Sequence, residues 1–101
     1  MDRRLELHEV LCTALGSRNV YFQPPDSVRM SYPAIRYVLY DIDNKFADNK
    51  VYKQDRGYQI TVIDRDPDSE VVSRVSQIDG IRYNRYYGAD NLNHTVFVLY
   101  Y

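Results

Sequence analysis

Cysteine is nearly absent from this sequence: Cys12 stands alone. A lone thiol excludes a disulfide framework within one copy and a zinc site built from several cysteines, and it fits a reducing compartment. Cys12 lies beside apolar residues in a predicted helix, where a small buried filler is the expected role rather than a nucleophile. Glycine is scarce too. Four glycines leave little room for a phosphate-cradling loop, and no G-x-S-x-G, P-loop or dinucleotide-binding glycine pattern occurs. Neither sign of charge is in excess, since 13 basic and 14 acidic side chains give a net charge of −1. Domains that bind nucleic acid carry a basic excess or stripe, so sequence-specific DNA or RNA is not an expected partner. No run approaches the roughly 18 apolar residues of a membrane span. The charged start Met1-Asp2-Arg3-Arg4-Leu5-Glu6 lacks the apolar run of a signal peptide. The expected setting is the cytoplasm, or a particle assembled there, with no membrane partner.

Catalytic and metal-binding patterns are equally thin. His8 and His94 sit outside any H-x-x-x-H spacing. Asp41, Asp43 and Asp48 form one set of carboxylates, and Asp64, Asp66 and Asp68 a second. Alternating aspartates suit a hard cation. The first set fails as a calcium loop because Lys45 is fifth, Phe46 stands where glycine is needed and Tyr52 where glutamate is needed. The second set fits helix capping better. Serines 17, 27, 31, 69, 73 and 76 have no histidine nearby in sequence. The expectation is a protein that is not an enzyme, with no cofactor and no metal.

What is abundant is tyrosine, 11 of 101 residues, in a chain without tryptophan. Tyrosine offers a large apolar area and one polar handle, which suits interfaces. It is also a good strand former, and both roles are expected.

The length allows one domain, over residues 1–101, with a modest core. Leu7, Val10, Leu11, Ala14 and Leu15 repeat at the spacing of one helical stripe, which predicts a helix over 2–15 with Asp2 near its start and Gly16 to end it. Residues 19–23 are a short strand candidate, broken by Pro24-Pro25. A strong strand is predicted from 34 to 43, with Ile35, Tyr37 and Leu39 on one face and Ala34, Arg36, Val38 and Tyr40 on the other. Residues 44–50 are polar and rich in turn formers. The strand pattern resumes at Val51 and Tyr52, pauses at Asp55-Arg56-Gly57 and peaks over 58–63. Asp66 is the expected cap of a second helix, Pro67 its first residue, Val71, Val72, Val75 and Ile78 its buried stripe, and Asp79-Gly80 its stop. Residues 81–87 and 92–101 are two further strands. The expected fold is α+β in the order α-β-β-β-α-β-β, a mainly antiparallel sheet with helices packed on one face.

One length is anomalous. Residues 34–46 and 50–65, as unbroken strands, far exceed the usual five or six residues or so. At about 3.3 Å per residue, the first spans roughly 43 Å, whereas a globule of this size is about 35 Å across. A hairpin tip around 43–52 is then expected to overhang the body. A free two-stranded ribbon is marginal in water, so such an arm rests on a neighbouring subunit. The alternative is a flexible loop over 43–52. A second candidate surface is Arg82-Tyr83-Asn84-Arg85-Tyr86-Tyr87. It suits a protein interface or, alternatively, base stacking with phosphate contacts.

Four stretches together carry a family resemblance: Tyr32-Pro33-Ala34-Ile35-Arg36-Tyr37; residues 41–50, DIDNKFADNK; residues 58–69, YQITVIDRDPDS; and residues 86–97, YYGADNLNHTVF. Over residues 32–101 the chain resembles the small tail terminator, or tail completion, proteins of tailed phages, prophages and phage-tail-like particles of Gram-positive bacteria. The resemblance implies a hexameric ring on the last ring of the tail tube. The ring would stop tube growth and present a joining surface to the neck and head-completion proteins, with the tail tube protein and a sheath protein as further partners. It carries no catalytic residues. On this reading Asp43, Lys45, Phe46, Asp48, Lys50 and Tyr52 are the hairpin's contacts. Tyr83, Tyr86, Tyr87, Tyr100 and Tyr101 are candidates for a second interface. The alternatives are a neck or head-completion adaptor of the same particle and, from another class, a small nucleic-acid-binding regulator.

Overall fold

The computed structural model describes residues 3–101; the expected helix start at Asp2 lies outside them. The fold is α+β, a mixed five-stranded sheet with two helices. In chain order the elements are α1 (Arg3–Leu15), β1 (Val20–Phe22), β2 (Ala34–Ala47), β3 (Lys50–Asp64), α2 (Glu70–Ser76), β4 (Arg82–Ala89) and β5 (Leu92–Tyr100). The sheet order is β1-β2-β3-β5-β4. Only β1–β2 is parallel; the other pairs are antiparallel. Two of the connections are two-residue turns, Asp48-Asn49 and Asp90-Asn91, and all four residues have positive φ. That backbone matches the twist of a tight hairpin, and Asn and Asp tolerate it better than most side chains.

The core follows the two periodicities. Tyr37 on β2, Ile60 on β3 and Phe97 on β5 lie in one row across the sheet, and Ile35 and Val62 in another. Those residues, with Tyr58 and Leu99, join Leu7, Leu11 and Leu15 of α1 and Val71 and Val75 of α2 in one buried cluster. Cys12 belongs to this cluster as a small buried side chain, and burial pushes its thiol pKa up. Val10 and Ala14, expected in the stripe of α1, are only half-buried. The real stripe runs through Leu7, Leu11, Cys12 and Leu15.

The ends of α1 and α2 differ in how far they meet expectation, and both departures lie in α2. Gly16 closes α1 with φ +85° and its amide on the Cys12 carbonyl. Arg74 of α2 donates to the carbonyls of Ala14 and Leu15, a cation on the last turn of α1. The cap of α2, however, is Ser69, whose Oγ accepts from the Val71 amide. Asp66 and Pro67 lie before the helix. Asp64 and Asp66 each accept the amide two residues on, and these local bonds draw the backbone into turns instead of helix. Likewise α2 ends at Ser76, before Asp79-Gly80.

Candidate assembly surface

Strands β2 and β3 are 14 and 15 residues long. Near the body, β2 is flanked by β1 at residues 35–37 and β3 by β5 at residues 57–64. From Ile42 to Asp55 the two strands pair only with each other. The molecule measures 51 × 27 × 23 Å. Its radius of gyration, 14.6 Å, exceeds the roughly 13 Å of a compact chain this long. The segment 43–52 is therefore an extended ribbon, not a loop. The expected pause at Asp55-Arg56-Gly57 is absent, because β3 runs through it unbroken.

The arm exposes apolar side chains. Ile42, Phe46, Val51 and Tyr52 are all open to solvent, Phe46 at 63% and Tyr52 at 67%. Phe46 and Val51 face each other across the strands. Lys45, Asp48 and Lys50 are exposed and Asp43 is half-buried, so the six expected hairpin residues share one arm. The charged pairing is unusual. Asp43 stands opposite Asp55 and Lys45 opposite Lys53. Like charges directly across a ladder are unfavourable. Each acid instead meets the lysine two residues away on its own strand, Asp43–Lys45 at 3.2 Å and Asp55–Lys53 at 3.7 Å. The Asp43 contact holds the Lys45 ammonium pKa above its usual value.

Two irregularities shape the arm. The register shifts between Leu39 and Asp41, leaving Tyr40 as an extra residue, and again between Lys45 and Phe46. The first shift lies at the root. Beyond it, Asp41 stands opposite Gly57, and Gly57 opposite Tyr100 of β5. The Tyr100 ring lies across Gly57, where a Cβ would come within 2.8 Å of it. Its hydroxyl donates to Asp41 at 2.7 Å. One side chain from the body thus crosses β3 to hold β2. The hydrogen bond to the Asp41 carboxylate pushes the Tyr100 pKa up to about 12. Sequence reading missed this clamp, since nothing local links residues 41, 57 and 100.

The five tyrosines of the expected second interface do not share one face. Tyr83 and Tyr86 are exposed on β4, Tyr83 edge-on to Phe97 and Tyr86 bonded to Asn93. Tyr87 points to the opposite face, stacked on His94 with Arg85 over its ring. Tyr100 belongs to the root of the arm. Tyr101 is half-buried against the core, and the Arg3 guanidinium lies over its ring.

His8 is part of the packing. Arg4 donates to the Tyr37 hydroxyl at 3.1 Å, which leaves the hydroxyl hydrogen for His8 Nδ1 at 2.8 Å. Burial, then the nearby Arg18 and Arg4, lower the His8 pKa. Among the described residues, no three His, Cys, Asp or Glu side chains are placed to hold a metal ion. No helix of the described residues is long and apolar enough to cross a membrane. No family model and no curated protein matches the chain.

Proposed function

We propose that this protein is a structural assembly subunit that forms a closed, hexameric ring ending the tail tube of a phage or phage-tail-like particle. The arm carries this reading. A two-stranded ribbon exposing Phe46, Val51 and Tyr52 is marginal as a free element, and such apolar surface marks a contact site. Laid on an adjacent copy, the arm makes a head-to-tail contact, the kind that closes into rings. Both helices are read as covering one face of the sheet, which leaves the opposite face for stacking on the tail tube protein or on neck and head-completion proteins. The family resemblance of residues 32–101 supplies the particle; the arm supplies the reason for assembly.

Electron microscopy of particles lacking this gene tests the reading. Filled heads beside unattached tails of excessive length are expected. Unattached tails of normal length would point to a neck or head-completion adaptor instead, and intact particles would remove both. The nucleic-acid reading rests on Arg82 and Arg85 interleaved in sequence with the tyrosines of β4. Salt-dependent retention on a DNA column would favour it.

A further inference from the structure

The assembly reading leaves open where the arm lands. Beside α1 lies an open groove of about 490 Å³ formed by Leu5, Glu6, Glu9, Val10 and Tyr101. Its lining is almost wholly apolar apart from the two glutamates, and Leu5 is 52% exposed. Glu9 is engaged by Arg18 at 2.8 Å. Glu6 has no cationic partner among the described residues.

The arm's tip has the complementary character. Phe46 and Val51 form its apolar pair. Between Lys45 and Lys53 it carries three lysines and one aspartate. Lys45 and Lys53 are held by their own strands, and Lys50 has no acidic partner among the described residues.

A chain cannot fill its own groove. Tyr101 donates its amide to Arg56, so the groove lies at the root of the arm. The tip is five residues further along β3, roughly 16 Å away at about 3.3 Å per residue. The strands between are paired at every residue of β3 but Tyr52 and cannot fold back.

We propose that the arm tip of one copy docks in the α1–Tyr101 groove of the next. Phe46 and Val51 cover Leu5, Val10 and Tyr101, and Lys50 reaches Glu6. The two patches lie at different places on the chain, so every copy gives one contact and receives one. This placement rests on the assembly reading and specifies its partner surface as a second copy of this chain.

The test uses the full chain and two variants at exposed positions, Phe46→Asp at the tip and Leu5→Asp in the groove. Sedimentation velocity of the wild type should show a closed ring. Each variant alone should weaken assembly by roughly 30-fold or more, as loss of an interface anchor does, with a melting temperature equal to that of wild type diluted until the ring dissociates. Mixed, the two should form a one-to-one pair, because a single intact tip meets a single intact groove. Charge exchange adds a second readout: Lys50→Glu and Glu6→Lys should each weaken the ring, and together restore it. If Phe46→Asp breaks the ring while Leu5→Asp and Glu6→Lys leave it whole, the groove is the wrong site and the assembly reading stands. A wild type that stays monomeric at high concentration overturns both.

Discussion

The body and the arm of this protein are built from the same two strands but obey different rules. In the body, β2 and β3 have neighbours on both sides, and alternate side chains such as Ile35, Tyr37, Ile60 and Val62 are sealed in a core. Past the extra residue Tyr40, from Ile42 to Asp55, the strands run on without a third strand paired to either. There Ile42, Phe46 and Val51 face water, and like charges sit opposite each other. The body's side chains satisfy one another within a single copy; the arm's do not. The difference teaches that strand length beyond what the core can cover is not explained by the fold of a single copy.

That comparison can be broken or sharpened, starting with the largest effect. Phe97, almost wholly buried, belongs to the single core cluster. Phe97→Ala should cost about 3–5 kcal/mol in chemical denaturation, the usual result of emptying an aromatic site. An effect below about 1 kcal/mol would mean that the body is not packed as described.

Gly57→Ala acts at the boundary. The added methyl must displace the Tyr100 ring, at a cost of about 1–3 kcal/mol for overpacking. It should also break the Asp41 bond and loosen the arm, read as faster amide exchange over residues 41–56. Exchange that rises in the body instead would put the clamp's role elsewhere.

Within the arm, the double change Lys53→Asp with Asp55→Lys places opposite charges across the ladder at both positions. It should stabilise the arm by about 0.2–1 kcal/mol, visible as slower local exchange. Unchanged exchange would show that the same-strand ion pairs already offset the like-charge contacts.

The smallest effect is spectroscopic. Tyr100 should ionise near pH 12, above its ordinary value of 10, and Asp41→Asn should bring it down. The neutral phenol is the form favoured in the fold. Its contribution is therefore complete below pH 10 and lost as pH rises towards about 12. A Tyr100 that titrates at its ordinary value in the wild type would show that the bond to Asp41 does not form.

Much of the body was legible because local rules decide it. The alternation of Ile35, Tyr37 and Leu39 and the repeat of Leu7, Leu11 and Leu15 need no tertiary information. The two Asp-Asn turns sit where the strand pattern lapses. Asp66 was misread because an aspartate serves a helix cap and a side-chain turn equally well, and only the following backbone decides. Gly57 looked like an interruption because glycine weakens an isolated strand; across the sheet, it is the space that the Tyr100 ring occupies. The bond of His8 to Tyr37 joins residues 29 apart, and no pattern in either segment announces it. The arm was visible from strand length alone. Its two register shifts, which set where Asp41 and Phe46 point, were not.

The most direct measurement is sedimentation velocity of Phe46→Ala beside the wild type, paired with a thermal melt of each. Phe46 is exposed, and the change should alter stability by no more than about 0.5 kcal/mol. The account predicts a wild type that sediments as a closed ring and a variant that sediments as smaller species, with a melting temperature equal to that of wild type diluted until its ring dissociates. A variant ring as abundant as the wild type's would contradict the claim that the arm is the assembly element.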